Sequence, residues 1–105
     1  MKADEKEYIR NDGKTAYVVC VEPRGVFFGY ADVEDRERRT IHSARILVYW
    51  SEKSKGVVGT AAVGPIEGRV SPACPRIEFP KENKIEAWFS CSEEAVKVWE
   101  SEPWS

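Results

Sequence analysis

The chain has 105 residues, of which 42% are hydrophobic and 32% charged, an ordinary composition for one water-soluble globular unit. Sixteen basic and eighteen acidic side chains give a formal charge of −2. No apolar run approaches the roughly 18 residues of a membrane span, and the charged start Met1-Lys2-Ala3-Asp4-Glu5-Lys6-Glu7 has no apolar segment behind it, so neither membrane insertion nor a signal peptide is expected.

Residues 1–14 are polar and end in the turn signal Asn11-Asp12-Gly13-Lys14. Tyr8 and Ile9 either pair as a short first strand before that turn or belong to a partly ordered arm. Residues 15–21 (TAYVVCV) are β-branched, aromatic and almost continuously apolar, which predicts a strand covered on both faces. Glu22-Pro23-Arg24-Gly25 turns the chain. Residues 26–33 then read as the returning strand, where Gly29 marks a bulge or a close approach by another backbone or a ligand. The balanced charge run 34–39 reads as a solvated hairpin tip.

Residues 40–42 and 45–50 form one interrupted strand or two short ones, and 51–56 turn again. The small residues of 57–64 predict one or two helical turns packed on a sheet. Pro65, Pro72, Pro75 and Pro80 exclude a regular helix between them, leaving a short strand over 76–79. Residues 84–91 read as the last strand. Ser92 then caps a helix with Glu93 and Glu94 in its first turn, and Ala95, Val98 and Trp99 make its apolar face. The expectation is one mostly-β (α+β) domain over 1–105: a small antiparallel sheet or partly open barrel with a short C-terminal helix. A domain of this length has a radius of gyration of roughly 13 Å.

The charge is unevenly placed. Residues 13–81 are net +3 and residues 82–105 net −4. That centre is too weakly basic for a duplex nucleic acid partner. It does hold Arg24, Arg36, Arg38, Arg39, Arg45, Arg69 and Arg76, enough to hold a small anion. Cys20, Cys74 and Cys91 are odd in number and widely spaced, unlike a secreted disulfide scaffold. With the lone His42 they lack the clustered spacing of a zinc site. Reduced cysteines place the chain in cytoplasm, and Cys20 reads as a small buried hydrophobe. There is no phosphate-binding glycine loop, and nothing positions a nucleophile beside His42. No catalytic residue, metal or cofactor is therefore expected.

What remains is aromatic density beside arginine. Phe27, Phe28, Tyr30, Tyr49, Trp50 and Trp88 lie on predicted strands, with Arg24 and Arg45 at strand ends. Side chains alternate between faces. One of Phe27 and Phe28, and one of Tyr49 and Trp50, is then left to stack on a base while an arginine pairs with phosphate. The same residue types also build cores and dimer interfaces.

The stretch Thr40-Ile41-His42-Ser43-Ala44-Arg45-Ile46-Leu47-Val48-Tyr49-Trp50-Ser51 resembles the core motif of a family of small, largely uncharacterised phage and prophage proteins, whose pattern runs L-x-N-A-R-R-I-W-Y-W-S-G-A. Residues 24–30 resemble its S-A-G-V-H-x-G-x-L segment, and residues 86–95 its E-A-I-E-I-x-P-C-T-E-K-A segment. The likeness spans residues 16–100. Ser43, Ile46 and Glu52 depart from the Asn, second Arg and Gly of the pattern. In size, origin and composition the chain is also similar to the Thoeris anti-defence and anti-CBASS sponges, small oligomers that sequester signalling nucleotides uncleaved at subunit interfaces. This resemblance implies a non-enzymatic, homo-oligomeric counter-defence protein of the host bacterial cytoplasm. Its cyclic nucleotide would be held by Arg24, Phe27, Phe28, Arg45, Tyr49, Trp50 and Arg76. The alternative is an inhibitor or adaptor that grips a host defence protein through its acidic C-terminal region.

Overall fold

β1 (Thr15–Val21) lies between two strand partners, and its sequence is apolar on both faces because each face enters a core cluster. Ala16 and Val18 enter one core cluster, Val19 and Val21 the other. The computed structural model describes residues 8–22, 25–49, 56–65 and 69–101. β1 pairs antiparallel with β2 (Gly25–Ala31) on one side and with β6 (Ile85–Ser90) on the other. β2 continues to β3 (Thr40–Tyr49), a single long strand. The outer edge of β3 is covered by two short strands in turn. β5 (Cys74–Glu78) pairs with residues 40–44, and β4 (Arg69–Val70) pairs further along, at Leu47 and Tyr49. The result is a six-stranded, open antiparallel sheet, as the sequence pattern predicts. Ile9 bridges Thr15, so the arm does supply the short pairing ahead of the Asp12-Gly13 turn.

The two faces differ. One is covered by α2 (Gly56–Val63) and α3 (Glu93–Ser101): Ala61, Ala95, Val96 and Trp99 pack on Ala16, Val18, Val26, Phe28, Tyr30 and Leu47. Ser92 caps α3, its Oγ accepting from the Ala95 N–H at 3.1 Å and donating to the Ala62 carbonyl at 2.6 Å. That hydroxyl therefore joins the two helices as well as starting one. Gly64 ends α2 in the left-handed region (φ +88°), where glycine carries no steric penalty. The other face is lined by Val19, Val21, Ala31, Ile41, Ala44 and Phe79, flanked by the half-buried Tyr17, Phe27, Ile77, Ile85 and Trp88. The Cα radius of gyration is 12.7 Å.

Gly29 sits where the β2–β3 register shifts, opposite Ser43, whose φ is +50°. A β-bulge places an extra residue there. A Cβ on Gly29 would lie 2.8 Å from Ile41 Cβ, so the glycine marks the expected bulge, and what approaches it closely is a side chain rather than a backbone or a ligand.

The charge run does join the antiparallel β2 and β3 as a largely exposed hairpin tip, but it is helical rather than a plain turn. Residues 33–37 form a helix, α1 (Val33–Glu37), started by a reciprocal capping box. The Asp35 N–H donates to Asp32 Oδ1 at 2.8 Å, and the Asp32 N–H donates to Asp35 Oδ2 at 3.1 Å. Balanced charge alone does not separate a solvated turn from a capped helical turn. The Asp-x-x-Asp spacing does.

Candidate functional site

Of the four described residues expected to hold a ligand, Phe27, Phe28 and Arg45 pack or bond within the framework. Phe28 is 1% exposed and stacks on Trp99, so its ring is closed to a base. Arg45, its cross-strand neighbour, is buried beside it. Its Nε donates to the Ser71 carbonyl and its Nη1 to the Trp99 carbonyl, each at 2.6 Å. A cation at the last turn of α3 also favours the helix dipole. Phe27 lies on the opposite face, edge-to-face with Phe79 at 5.0 Å. Arg76 is exposed on β5 and paired with Glu78 at 3.2 Å. Arg24 and Trp50 lie outside the described residues, as does the side chain of Tyr49. Those that are described do not converge: Phe28 and Arg45 are in the helix-covered core, Phe27 is on the other face and Arg76 is at the sheet edge.

The combination of aromatics with arginine does occur, from other residues. Tyr17 on β1 and Trp88 on β6 are diagonal neighbours on the face that α2 and α3 leave uncovered, since Val19 is the direct partner of Trp88. Diagonal positions lie within reach of large rings. The two rings meet edge-to-face, centroids 5.4 Å apart and planes at 82°. Arg36 of α1 reaches over both, its guanidinium carbon 5.0 Å from the Tyr17 centroid and 5.2 Å from that of Trp88. Its Nη1 donates to the Tyr17 hydroxyl at 3.3 Å. Arg36 has no carboxylate partner among the described residues, and a guanidinium carries five N–H donors, so most remain for an anion. Beside this trio lies an open groove of about 250 Å³ lined by Val33, Arg36, Glu37 and Trp88. Val33 is 72% exposed, an apolar wall facing solvent.

The groove's helical wall is set by a polar cluster. Asp35 accepts from Lys14 Nζ at 2.7 Å and is 3.1 Å from His42 Nε2. Lys14 Nζ also donates to Asp32 at 3.1 Å. Partial burial pushes the Asp35 carboxyl up, but Lys14, the Asp32 N–H and His42 outweigh it and hold the group well below the usual carboxylate range. The hydrogen bond to Asp35 raises Lys14 in turn, against the effect of burial.

A second cluster ties the arm to the sheet and α3. Arg10 donates to Ser43 Oγ at 2.9 Å and to Asp12 at 2.7 Å, and lies 4.0 Å over the Tyr30 ring. The Tyr30 hydroxyl donates to Glu100. Burial and that carboxylate push its pKa far up. Arg39 donates to the Phe79, Pro80 and Asn83 carbonyls and so pins the loop after β5. The charges of Arg10 and Arg39 are thus used within the fold.

The cysteines are free thiols. Cys91 is buried and pushed up to about 12, unsuited to nucleophilic chemistry. Cys20 is only half-buried, its Sγ 3.8 Å from a Glu86 carboxylate oxygen, less enclosed than its apolar strand suggests. No group of three His, Cys, Asp or Glu side chains gathers as metal ligands among the described residues. No helix among them is long and apolar enough to cross a membrane.

Sequence reading counts Arg36 among the central arginines but leaves it out of the site, since the charge run disguises it, and it misses the pairing of Tyr17 with Trp88. That pairing depends on β1 meeting β6 across the intervening residues 22–84, a long-range contact with no local signal.

No curated protein and no solved structure matches the chain. A family model does match, over residues 14–99, which takes in Lys14, Tyr17, Asp35, Arg36, His42 and Trp88. The chain belongs to that family, described as a domain of unknown function, DUF6948.

Proposed function

We propose that the protein is a non-enzymatic binder that sequesters a small signalling nucleotide, with the groove lined by Val33, Arg36, Glu37 and Trp88, beside Tyr17, as its site. The observation that carries this reading is Arg36. It is a cation without a carboxylate partner among the described residues, laid over two half-buried aromatic rings at the edge of an open groove. Bases stack on aromatic faces and on guanidinium planes. The remaining N–H groups of Arg36 suit phosphate oxygens. Glu37 at the rim supplies an acceptor for a base's amino group. The ligand class expected from composition is thus kept, while stacking and phosphate pairing pass from Phe28, Trp50 and Arg45 to Trp88, Tyr17 and Arg36.

The groove is open on one protomer, and the exposed Val33 beside it suits closure by a second copy, in keeping with a homo-oligomeric sponge. The counter-defence setting in host bacterial cytoplasm follows from the phage-protein resemblance.

Calorimetric titration and native mass spectrometry with mono-, di- and cyclic nucleotides test the proposal. Binding of an intact nucleotide is expected, with loss of roughly tenfold or more in affinity in Trp88→Ala and Arg36→Ala, the scale of one base–aromatic stack. No binding by any nucleotide, or affinity unchanged in both folded variants, overturns it. Recovery of a hydrolysed ligand replaces the binder with an enzyme. Salt-sensitive capture of a host protein by the acidic segment, with no nucleotide bound, favours the inhibitor alternative.

A further inference from the structure

α1 supplies Val33, Arg36 and Glu37 to the groove, yet none of its five residues is buried. A helix this short has no stability of its own, and it has no apolar face seated in the core. What seats it is polar and converges on one side chain. Asp35 is 15% exposed and uses both carboxylate oxygens: Oδ1 toward His42 on β3, Oδ2 toward Lys14 just ahead of β1 and toward the Asp32 N–H. Lys14 doubles the attachment by reaching Asp32. The residue ahead of β1, the start of α1 and β3 therefore meet at one carboxylate, and the next residue along is Arg36.

We infer that Asp35, gripped by Lys14 and His42, is the positioning residue of the groove: it seats α1 against the sheet and so holds Arg36 over Tyr17 and Trp88. Its consequence for binding rests on the function proposed above, whereas the seating of α1 does not. A protein that loses this grip keeps its sheet, because both core clusters are built from other residues. It loses the arrangement of the groove's helical wall. Lys14 is the sharper handle on the grip, since arginine preserves its charge and methionine only its approximate length.

Hydrogen exchange by mass spectrometry on the free full chain tests the seating, with wild type, Asp35→Ala, Lys14→Met and Lys14→Arg compared at equal folding by circular dichroism. The reporting amides are those of Arg36, Arg38 and Arg39, which donate to Asp32, Glu34 and Arg36 carbonyls. The expected result is exchange about tenfold faster there in Asp35→Ala and Lys14→Met, with β1 and β6 amides unchanged and Lys14→Arg close to wild type. Unchanged α1 exchange in both folded variants overturns the inference, whatever nucleotides do. The second arm titrates GMP and cyclic di-GMP into the same variants. Weaker binding that follows α1 exchange and returns in Lys14→Arg supports the positioning role. Wild-type binding that Lys14→Met leaves intact despite a loosened α1 removes it. A loosened α1 in a protein whose wild type binds no nucleotide defeats the proposed function and leaves the seating standing.

Discussion

Phe28 and Trp99 stack face to face, their ring centroids 5.1 Å apart and their planes 11° apart. This joins the middle of the sheet to the last helix. Trp99 is fully buried, and its indole N–H donates to the Thr60 carbonyl at 3.0 Å, so it also ties α3 to α2. Truncating such a ring removes its packing and leaves a cavity, which costs about 3–5 kcal/mol. Trp99→Ala is expected to lower stability by that amount in urea denaturation. Phe28→Ala should do likewise, marking Phe28 as core. A double-mutant cycle should show coupling of about 0.5–1.5 kcal/mol beyond the separate burials, the range for aromatic pairs. Phe28→Ala at wild-type stability with weakened nucleotide binding would instead return Phe28 to the ligand site.

Arg45 is a structural cation in a position that the sequence offers as a phosphate ligand. It serves carbonyls of both Ser71 and Trp99. Replacing it with leucine leaves the buried Trp99 carbonyl and the part-buried Ser71 carbonyl without these donors, at about 1–3 kcal/mol for the buried acceptor and less for the other. Arg45→Lys should recover only part of that loss, because a point-like ammonium does not reproduce the guanidinium fork. Chemical denaturation of the two variants measures both values. Equal, near-native stability in both rejects the structural role.

The Gly29–Ile41 contact gives a prediction about backbone approach. An added methyl would meet Ile41 Cβ at 2.8 Å and Cδ1 at 2.9 Å. The Cβ atom moves only with its strand, so the clash cannot be relieved by a rotamer change alone. Gly29→Ala is expected to destabilise by about 1–3 kcal/mol, the usual cost of overpacking. Combining it with Ile41→Ala should not restore stability, since alanine keeps the offending Cβ. Thermal melts of the single and double variants decide this.

These contrasts show which parts of the molecule are legible locally. The strands were, because period-2 and continuous apolar runs report burial directly: β1 matches residue for residue, and β2 and β6 to within two residues at each end. Ser92 and the residues behind it identified α3; Ala95 and Trp99 of the expected face are buried, Val96 is buried with them, and Val98 is only half-buried. β4 was not legible, since two residues carry no period. Nor was the side of the sheet that each aromatic would occupy relative to the helices. Alternation separates Phe27 from Phe28, but only tertiary packing puts α2 and α3 over Phe28. The chemistry of the site was readable as residue types, and its location was set by pairings between distant strands.

Asp35 provides the pH prediction, and its sign follows from the hydrogen bonds. Its folded pKa is held below the unfolded value by Lys14, the Asp32 N–H and His42, despite the opposing effect of burial. The ionised form is therefore favoured in the folded protein. Its contribution to stability is fully present above the unfolded carboxylate pKa of about 3.9 and is lost as pH falls through the folded value. Asp35→Asn should consequently be less stable than wild type at neutral pH, with the gap narrowing only below about pH 4. Other carboxylates titrate in the same window, Asp12 among them, held to about 2 by its hydrogen bond to Arg10. The informative quantity is thus the difference between the two proteins rather than either curve. Urea midpoints measured for both from pH 7 down to about pH 2 give that difference. A gap that stays constant across the acid range would mean that Asp35 acts through packing, and that Lys14 and His42 do not hold it by charge.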